Sequence, residues 1–249
     1  HCHYRLAEYE AARSHSLAAL ALFEALGDRD GRADALNTIG NVYSSLGDHH
    51  SALDFYLQSL ALRQATGNRQ SEAASLNNIG NVYFHLADYP NALDSHLRSL
   101  AIKESIGDRP GIGMSLHNIA NVYKETGEYP SALVRYGASL AIFQELGNTY
   151  GEAGALSNIG AVHAALGDTQ AARDYYGQSL AIEQRTGNRH GEAESLLQLG
   201  ELCLQAGDRA SDPSANTAQL ALSYLQPALA LAQALEANEL AYKINLALS

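Results

Sequence analysis

Several residue types are scarce in this chain of 249 residues, and each scarcity excludes a class of protein. Two cysteines, Cys2 and Cys203, are too few for a disulfide framework. No uninterrupted apolar run approaches the length that crosses a membrane, which excludes a transmembrane helix. Tryptophan is absent, and only five prolines occur, a number that suits a mainly helical chain.

Basic residues are scarce as well. Sixteen Lys and Arg stand against 27 Asp and Glu, which gives a formal net charge of −11. The lysines are Lys103, Lys124 and Lys243 alone, so no basic stripe offsets that charge. An acidic chain repels the phosphate backbone of nucleic acid. We therefore expect no nucleic-acid partner, no membrane partner and a cytoplasmic location.

The sequence motifs that usually carry chemistry are missing. The chain has no G-x-x-x-x-G-K phosphate loop and no G-x-S-x-G nucleophile motif. The lone G-x-G at Gly111 to Gly113 has no predicted strand before it, so we interpret it as a structural turn. The sequence thus predicts a protein that is not an enzyme, with no catalytic residue, no cofactor and no metal site.

A 40-residue repeat organises what the chain does contain. The eight residues from Leu36 to Tyr43 return at 76–83, 116–123 and 156–163, and in a worn form at 196–203. A second block, Ser59 to Leu62, returns in step at 99, 139 and 179. The register holds without an insertion from about residue 4 to about residue 208. So regular a period is typical of stacked repeats.

Each repeat predicts two helices. Helical spacing on one face indicates the first, through Leu36, Ile39, Gly40 and Tyr43. A matching face indicates the second, through Ala52, Tyr56, Ser59 and Leu60. Since glycine lets a neighbouring helix approach closely, we expect Gly40, Gly80 and Gly160 to be buried against the second helix of their own repeat.

Glycines mark the predicted helix ends. Between the two helices of a repeat, a glycine is followed by an acidic residue that favours the next helix N-terminus, at Gly47-Asp48, Gly127-Glu128 and Gly167-Asp168. The second helices end at Gly27, Gly67, Gly107, Gly147 and Gly187.

The pattern Leu-x-x-Ile-Gly-x-x-Tyr, then a small residue, then an aromatic, resembles the tetratricopeptide repeat. The matching residues of one repeat are Leu36, Ile39, Gly40, Tyr43, Ala52 and Tyr56. The usual unit has 34 residues, and the family usually has Ala where this chain has Ser59, Ser99, Ser139 and Ser179. The 40-residue form is similar to Pins-type scaffolds and to bacterial signalling-protein arrays. The resemblance implies an all-α, right-handed superhelical solenoid of antiparallel helix pairs, with about twelve helices.

The repeat register also predicts the domain organisation, a single solenoid over residues 1–249. It comprises a partial repeat, 1–32, full repeats at 33–72, 73–112, 113–152 and 153–192, a degenerate repeat, 193–240, and the start of a further helix, 241–249. The degenerate repeat contains a polar insertion, Ala210 to Asn216, after which a helix resumes around Ala218. We expect the sequence to be a piece of a longer protein.

The candidate binding residues follow from the resemblance, because the first helices of such arrays line an inner groove. Leu, Ile, Gly and Tyr occupy the packing side of each first helix, so other side chains face the groove. These are Asn37, Asn41, Asn77, Asn78, Asn81, Phe84, His117, Asn118, Asn121, Lys124 and Asn158. A carboxamide offers a donor and an acceptor together, which suits an extended peptide backbone. The alternative is that these Asn side chains bond neighbouring helices or loops.

Three functions are compatible with the sequence. The first is a protein-interaction module that binds a peptide or protein segment in its groove. The second is the sensory or regulatory arm of a larger signalling enzyme, such as a nucleotide cyclase, an NTPase regulator or a CHAT protease, with an intramolecular partner domain outside this sequence. The third, a small-molecule receptor or an enzyme, ranks last because no catalytic constellation is present.

Overall fold

The computed structural model describes the backbone of residues 2–208 and 215–248, with side chains over 11–205 and 218–248. Within these ranges the chain forms twelve α-helices and no strand. The helices are α1 (Cys2–Leu26), α2 (Arg29–Ser45), α3 (His49–Thr66), α4 (Arg69–His85), α5 (Tyr89–Ile106), α6 (Arg109–Glu125), α7 (Tyr129–Glu145), α8 (Thr149–Ala165), α9 (Thr169–Thr186), α10 (Arg189–Asp208), α11 (Ala215–Ala234) and α12 (Asn238–Leu248).

Two compact units divide the chain, an N-terminal unit that ends at Val122 and a C-terminal unit that begins at Tyr123. In the N-terminal unit, α2 packs on α3 and α4 on α5, while α3 also contacts α4. In the C-terminal unit, α8 packs on α9 and α10 on α11, while α9 also contacts α10. The predicted all-α fold of consecutive helix pairs is therefore confirmed. Among the described residues, no helix combines the length and the hydropathy that crossing a membrane requires.

Side-chain caps and left-handed residues set the helix ends, much as the sequence predicts. Asp or Asn before a helix accepts a hydrogen bond from the backbone N–H three residues on, at Asp28, Asp48, Asn68, Asp88, Asp108, Asn148, Asp168 and Asn188. Glu128 makes no such bond, and its carboxylate instead accepts from the Thr126 hydroxyl at 3.5 Å. Gly67 ends α3 at φ 72°, a conformation that favours glycine.

Three sequence predictions need correction or fall outside the described residues. Gly111 and Gly113 lie inside α6 and not in a turn, because Asp108 caps that helix by accepting the Gly111 N–H at 3.0 Å. Helix α11 begins at Ala215, three residues earlier than predicted. Residues 210–214 of the predicted polar insertion lie outside the described residues. The predicted repeat boundaries stay predictions.

A flat contact between glycine and a side chain joins the two helices of a repeat. A Cβ built on Gly40 would lie 2.7 Å from the Tyr56 ring, and one on Gly160 would lie 2.8 Å from the Tyr176 ring. The same construction on Gly80 comes within 2.6 Å of the His96 ring. Real Cβ atoms essentially never approach so closely, so a larger residue at these three positions would require the facing ring to shift. The third repeat has the buried Ala120 at the equivalent position, so one methyl group is accepted there. Gly40, Gly80 and Gly160 are buried, as the sequence predicts.

The serine that replaces the family's usual alanine makes a buried hydrogen bond between the helices of a repeat. The Ser59 hydroxyl donates to the Ala33 carbonyl at 2.8 Å, and the Ser99 hydroxyl donates to the Ala73 carbonyl at 2.8 Å. Ser179 repeats the bond to the Ala153 carbonyl at 3.1 Å. Serine at this position is therefore small enough for close packing and also links the two helices by a hydrogen bond.

Replacing Gly160 by Leu should lower the free energy of unfolding by about 1–3 kcal/mol, because the new side chain overpacks the contact with Tyr176. Gly137 is a matched control, since it is exposed on α7 with nothing within 4 Å of an added Cβ. Gly137→Ala should raise the free energy of unfolding by about 0.5–1 kcal/mol. Urea denaturation measures both, and a Gly160→Leu variant as stable as the parent contradicts the packing argument.

Replacing Ser99 by Ala should lower the free energy of unfolding by about 0.5–1.5 kcal/mol, because the bond to the Ala73 carbonyl is lost from a buried site. Ser105→Ala is the control, because the Ser105 hydroxyl bonds only to Ile102 of its own helix. Equal losses in the two variants, measured by thermal unfolding, would show that the bond between helices adds nothing.

Candidate functional site

Three first helices of the N-terminal unit turn polar side chains away from the core. We call this surface the carboxamide face and define it as Asn37 and Asn41 of α2, Asn77, Asn78 and Asn81 of α4, and His117, Asn118 and Asn121 of α6. Its orientation follows from the core, because Leu76, Ile79 and Val82 are buried among the helices. On a helix with 3.6 residues per turn, Asn77 and Asn81 then lie toward the opposite side, and Asn78 lies at its flank beside Val82. Asn77 is itself largely buried.

Carboxamides on neighbouring first helices bond directly to one another. The Asn78 Nδ2 group donates to Asn37 Oδ1 at 3.2 Å. The Asn118 Nδ2 group donates to Asn77 Oδ1 at 3.0 Å and to Asn81 Oδ1 at 3.3 Å. The bonds join α2 to α4 and α4 to α6. The alternative role for Asn, bonding between helices, is therefore present at Asn78 and Asn118.

Asn41 is held differently, by the second helix of its own repeat. The buried Tyr56 hydroxyl donates to Asn41 Oδ1 at 2.7 Å. Burial raises the pKa of Tyr56, against a smaller lowering by a hydrogen bond with Ser44, so the phenol keeps its proton and remains a donor. The Asn41 carboxamide itself is exposed.

Each of these bonds engages one half of a carboxamide and leaves the other half open. The described residues give no hydrogen-bond partner to the Nδ2 groups of Asn37, Asn41, Asn77 and Asn81. They likewise give none to the oxygens of Asn78 and Asn118. None of these atoms is a buried atom without a partner, so solvent reaches them. The face therefore offers donors and acceptors whose orientation is already fixed.

The remaining predicted site residues lie at the end of α4 and in the C-terminal unit. Phe84 is half-buried, and its ring centroid lies 6.1 Å from that of His85 and 5.8 Å from that of Tyr89, both in edge-on contacts. In the C-terminal unit, Lys124 Nζ donates to Asn158 Oδ1 at 3.3 Å, and Asn158 Nδ2 donates to the Gly154 carbonyl at 3.1 Å. Lys124 and Asn158 thus bond to each other, while binding by any of the predicted residues stays a prediction.

Sequence reasoning missed how the carboxamides pair. The bonds Asn78–Asn37 and Asn118–Asn77 both span 41 residues, one repeat plus one position. The same offset joins Ser157 to Gln198 at 2.9 Å in the C-terminal unit. Polar residues 41 positions apart can be found in the sequence. Aligning the repeats at 40 residues does not reveal these pairs, because it compares only equivalent positions. No cluster of three or more His, Cys, Asp or Glu side chains with metal-binding geometry occurs within the described ranges.

The family of the chain is shown by comparison with known proteins. The sequence model of the tetratricopeptide repeat matches residues 1–65, 71–145 and 151–211. The chain belongs to the tetratricopeptide repeat family. A search of curated proteins found no match.

Solved structures with the same fold are numerous, and three are informative. BtubC (BKLC) from P. vanneervenii is 17% identical, with 92% of each chain covered and a TM-score of 0.76. NprR in complex with its cognate peptide NprX is 18% identical, over 91% of this chain and 64% of that one, with a TM-score of 0.66. A Signal Transduction ATPase with Numerous Domains (STAND) that has a tetratricopeptide repeat sensor, from Pyrococcus horikoshii, is 14% identical, over 88% of this chain and 36% of that one, with a TM-score of 0.65. At these identities the likeness is one of fold.

Asn118→Ala should lower the free energy of unfolding by about 1–2 kcal/mol, because two hydrogen bonds to α4 are lost together. Asn245→Ala on α12 is the control, since Asn245 is exposed and its stability effect should stay within about 0.5 kcal/mol. Chemical denaturation of the two variants measures the difference. An Asn118→Ala variant that matches the Asn245→Ala variant would show that the carboxamide bonds do not stabilise the repeat contact.

Proposed function

We propose that this chain is a protein-interaction module without catalytic activity, which holds an extended peptide or protein segment along the carboxamide face. The observation that carries the proposal is that each carboxamide has one polar atom bonded within the protein and one that is open. Internal bonds fix their orientation, while their open donors and acceptors point away from the core.

An extended backbone is the ligand that this chemistry fits. Each peptide group presents one N–H donor and one C=O acceptor, and both need partners when water is displaced. The open Nδ2 groups of Asn37, Asn41, Asn77 and Asn81 suit carbonyl oxygens, and the oxygens of Asn78 and Asn118 suit backbone N–H groups. Because the side chains are already held by internal bonds, little rotamer freedom is lost on binding.

The composition of the face adds support. Asparagine forms helices less readily than Glu, Lys, Gln or Arg, so a solvated face with no task is better filled by those residues. Asparagine nevertheless recurs on three consecutive first helices. The likeness in fold to NprR, which was solved with its cognate peptide, agrees with a peptide ligand at the level of fold.

A second candidate is the sensory arm of a larger signalling enzyme, such as a nucleotide cyclase, an NTPase regulator or a CHAT protease. The likeness in fold to the repeat sensor of a STAND ATPase favours it. In that case the carboxamide face would contact a domain of the same polypeptide. Peptide affinity would then be weaker for the whole natural polypeptide than for residues 1–249, and isothermal titration of both with one peptide separates the two candidates.

The binding test pairs a selection with a double substitution. Random dodecapeptides displayed on phage are selected on the intact chain, and the affinity of a synthetic winner is measured by fluorescence anisotropy. Asn41→Ala with Asn81→Ala removes two open donors, each of which contributes about 0.5–1.5 kcal/mol when bonded. The Kd should therefore rise about 5-fold to 150-fold.

A matched control removes carboxamides from second helices, where no groove is expected. Gln58→Ala with Gln178→Ala changes two exposed side chains and should leave the Kd within about twofold. The control variant should melt within a few degrees of the parent. The Asn41, Asn81 double variant also loses the acceptors of Tyr56 and Asn118, so it should melt lower but stay folded at the temperature of the binding measurement. An Asn41, Asn81 double variant that folds and binds with unchanged Kd contradicts the proposal.

A further inference from the structure

Two imidazole contacts hold α4, the helix that carries Asn77, Asn78 and Asn81. At its C-terminal end, the His85 ring stacks on the His49 ring of α3, with centroids 5.0 Å apart and planes at 4°. In its middle, the His96 ring of α5 lies flat on Gly80. Helix α4 therefore contacts a histidine of α3 at its C-terminal end and a histidine of α5 in its middle.

His96 is enclosed almost completely. Its side chain is 1% exposed, and its Nδ1 atom is buried with no hydrogen-bond partner. The charged group that acts on it is Lys103 of its own helix, and Gly80 of α4 lies against the ring. A proton added to His96 would create a buried cation beside another cation, with no carboxylate to balance it.

The stacked pair at the end of α4 also disfavours charge. Burial and the neighbouring His49 both lower the pKa of His85. His50 stands next to His49. The Asp48 carboxylate, which accepts the Ser51 N–H and hydroxyl, attracts positive charge on His49 and His50 and not on His85. Phe84 and Tyr89 continue the ring cluster beyond His85 and supply no acidic group. Two imidazolium rings stacked at this spacing would repel one another.

We propose that acid releases the carboxamide face, because protonation of His96 and His85 loosens α4 from its neighbours. The proposal rests on the proposed function for its effect on binding, and on the packing of α4 alone for its effect on structure. The rings are neutral and α4 is held near neutral pH. In acid, His96 and His85 become positively charged and α4 separates from its neighbours. The carboxamide face that binds the peptide then loses its alignment.

The sign and size of the effect follow from His96. Burial, with a smaller effect of Lys103, lowers the pKa of His96 from 6.5 to about 4. A lowered pKa in the folded state means that the stabilising contribution is complete above pH 6.5 and is lost as the pH falls through about 4. These two values make the opening of α4 about 30-fold more favourable at pH 5 than at pH 7.5.

Other repeats of the chain show which residues can replace the two histidines that respond to acid. Sister repeats have Tyr56, Tyr136 and Tyr176 where His96 stands, and Ser45 where His85 stands. Tyr56 and Tyr176 lie on Gly40 and Gly160 just as His96 lies on Gly80. His96→Tyr with His85→Ser therefore uses residues that the same architecture already accepts. His96→Leu is a second variant, because Leu225 lies on Gly200 in the same manner.

The structural arm measures hydrogen exchange of the intact chain at pH 7.5 and pH 5.0, corrected for intrinsic exchange rates. Opening of α4 and α5 should become about 30-fold more favourable at the lower pH in the parent. It should change less than threefold in the His96→Tyr, His85→Ser variant and in α8 and α9 of the parent. His190→Gln, on the exposed surface of α10, is the control and should behave as the parent. An equal acid response in the double variant overturns the proposal.

The binding arm measures the Kd of the phage-selected peptide at the same two pH values. The parent should lose at least tenfold in affinity at pH 5.0, and the double variant should lose less than threefold. If α4 opens in acid but the parent keeps its affinity, the link between α4 and binding is wrong. If no peptide is selected at either pH while α4 still responds, the proposed function fails and the acid response of α4 stands.

Discussion

The flat contact between a first-helix glycine and a second-helix side chain is the constraint on which the rest of this structure depends. Tyr56 on Gly40, His96 on Gly80 and Tyr176 on Gly160 bring the two helices of a repeat closer than an added Cβ permits without a shift of the ring. That distance places Ser59, Ser99 and Ser179 within reach of a carbonyl on the facing helix. It also fixes the rotation of each first helix about its axis, and with it the side on which the asparagines stand.

The same carboxamides serve both folding and the proposed recognition. Within one side chain, one polar atom bonds to the protein and the other is open to a ligand. In Asn37, Asn77 and Asn81 the oxygen bonds to the next repeat while the nitrogen stays open. Stability and binding are therefore separable by position, because Asn118 donates two internal bonds whereas Asn41 is held only by Tyr56. An asparagine on a helix face is thus neither purely structural nor purely a binding residue in this protein.

Much of the fold could be predicted from sequence, because it depends on local patterns. The 40-residue period, the glycine that permits a flat contact and the Asp or Asn before each helix are all visible in the sequence. The pairing of Asn78 with Asn37 could not be seen by aligning equivalent positions, since it depends on how neighbouring first helices sit side by side. The prediction of a turn at Gly111 was wrong because glycine ends helices elsewhere in the chain, whereas here it makes room for the capping Asp108 carboxylate and for Lys103. The sequence predicted which side chains form the candidate site. Which end of each carboxamide is bonded and which is open could be known only from the three-dimensional structure.

The offset of the carboxamide bonds has a consequence for how such a chain changes length over evolution. Because the bonds Asn78–Asn37 and Asn118–Asn77 join one repeat to the next with the same offset, loss of one whole 40-residue unit brings another matching pair together. Deletion of residues 73–112 would set Asn118 against Asn37 and Asn41, in place of Asn77 and Asn81. Repeats can therefore be gained or lost by unequal recombination without a compensating mutation at the new junction, and the binding surface lengthens or shortens by one unit at a time.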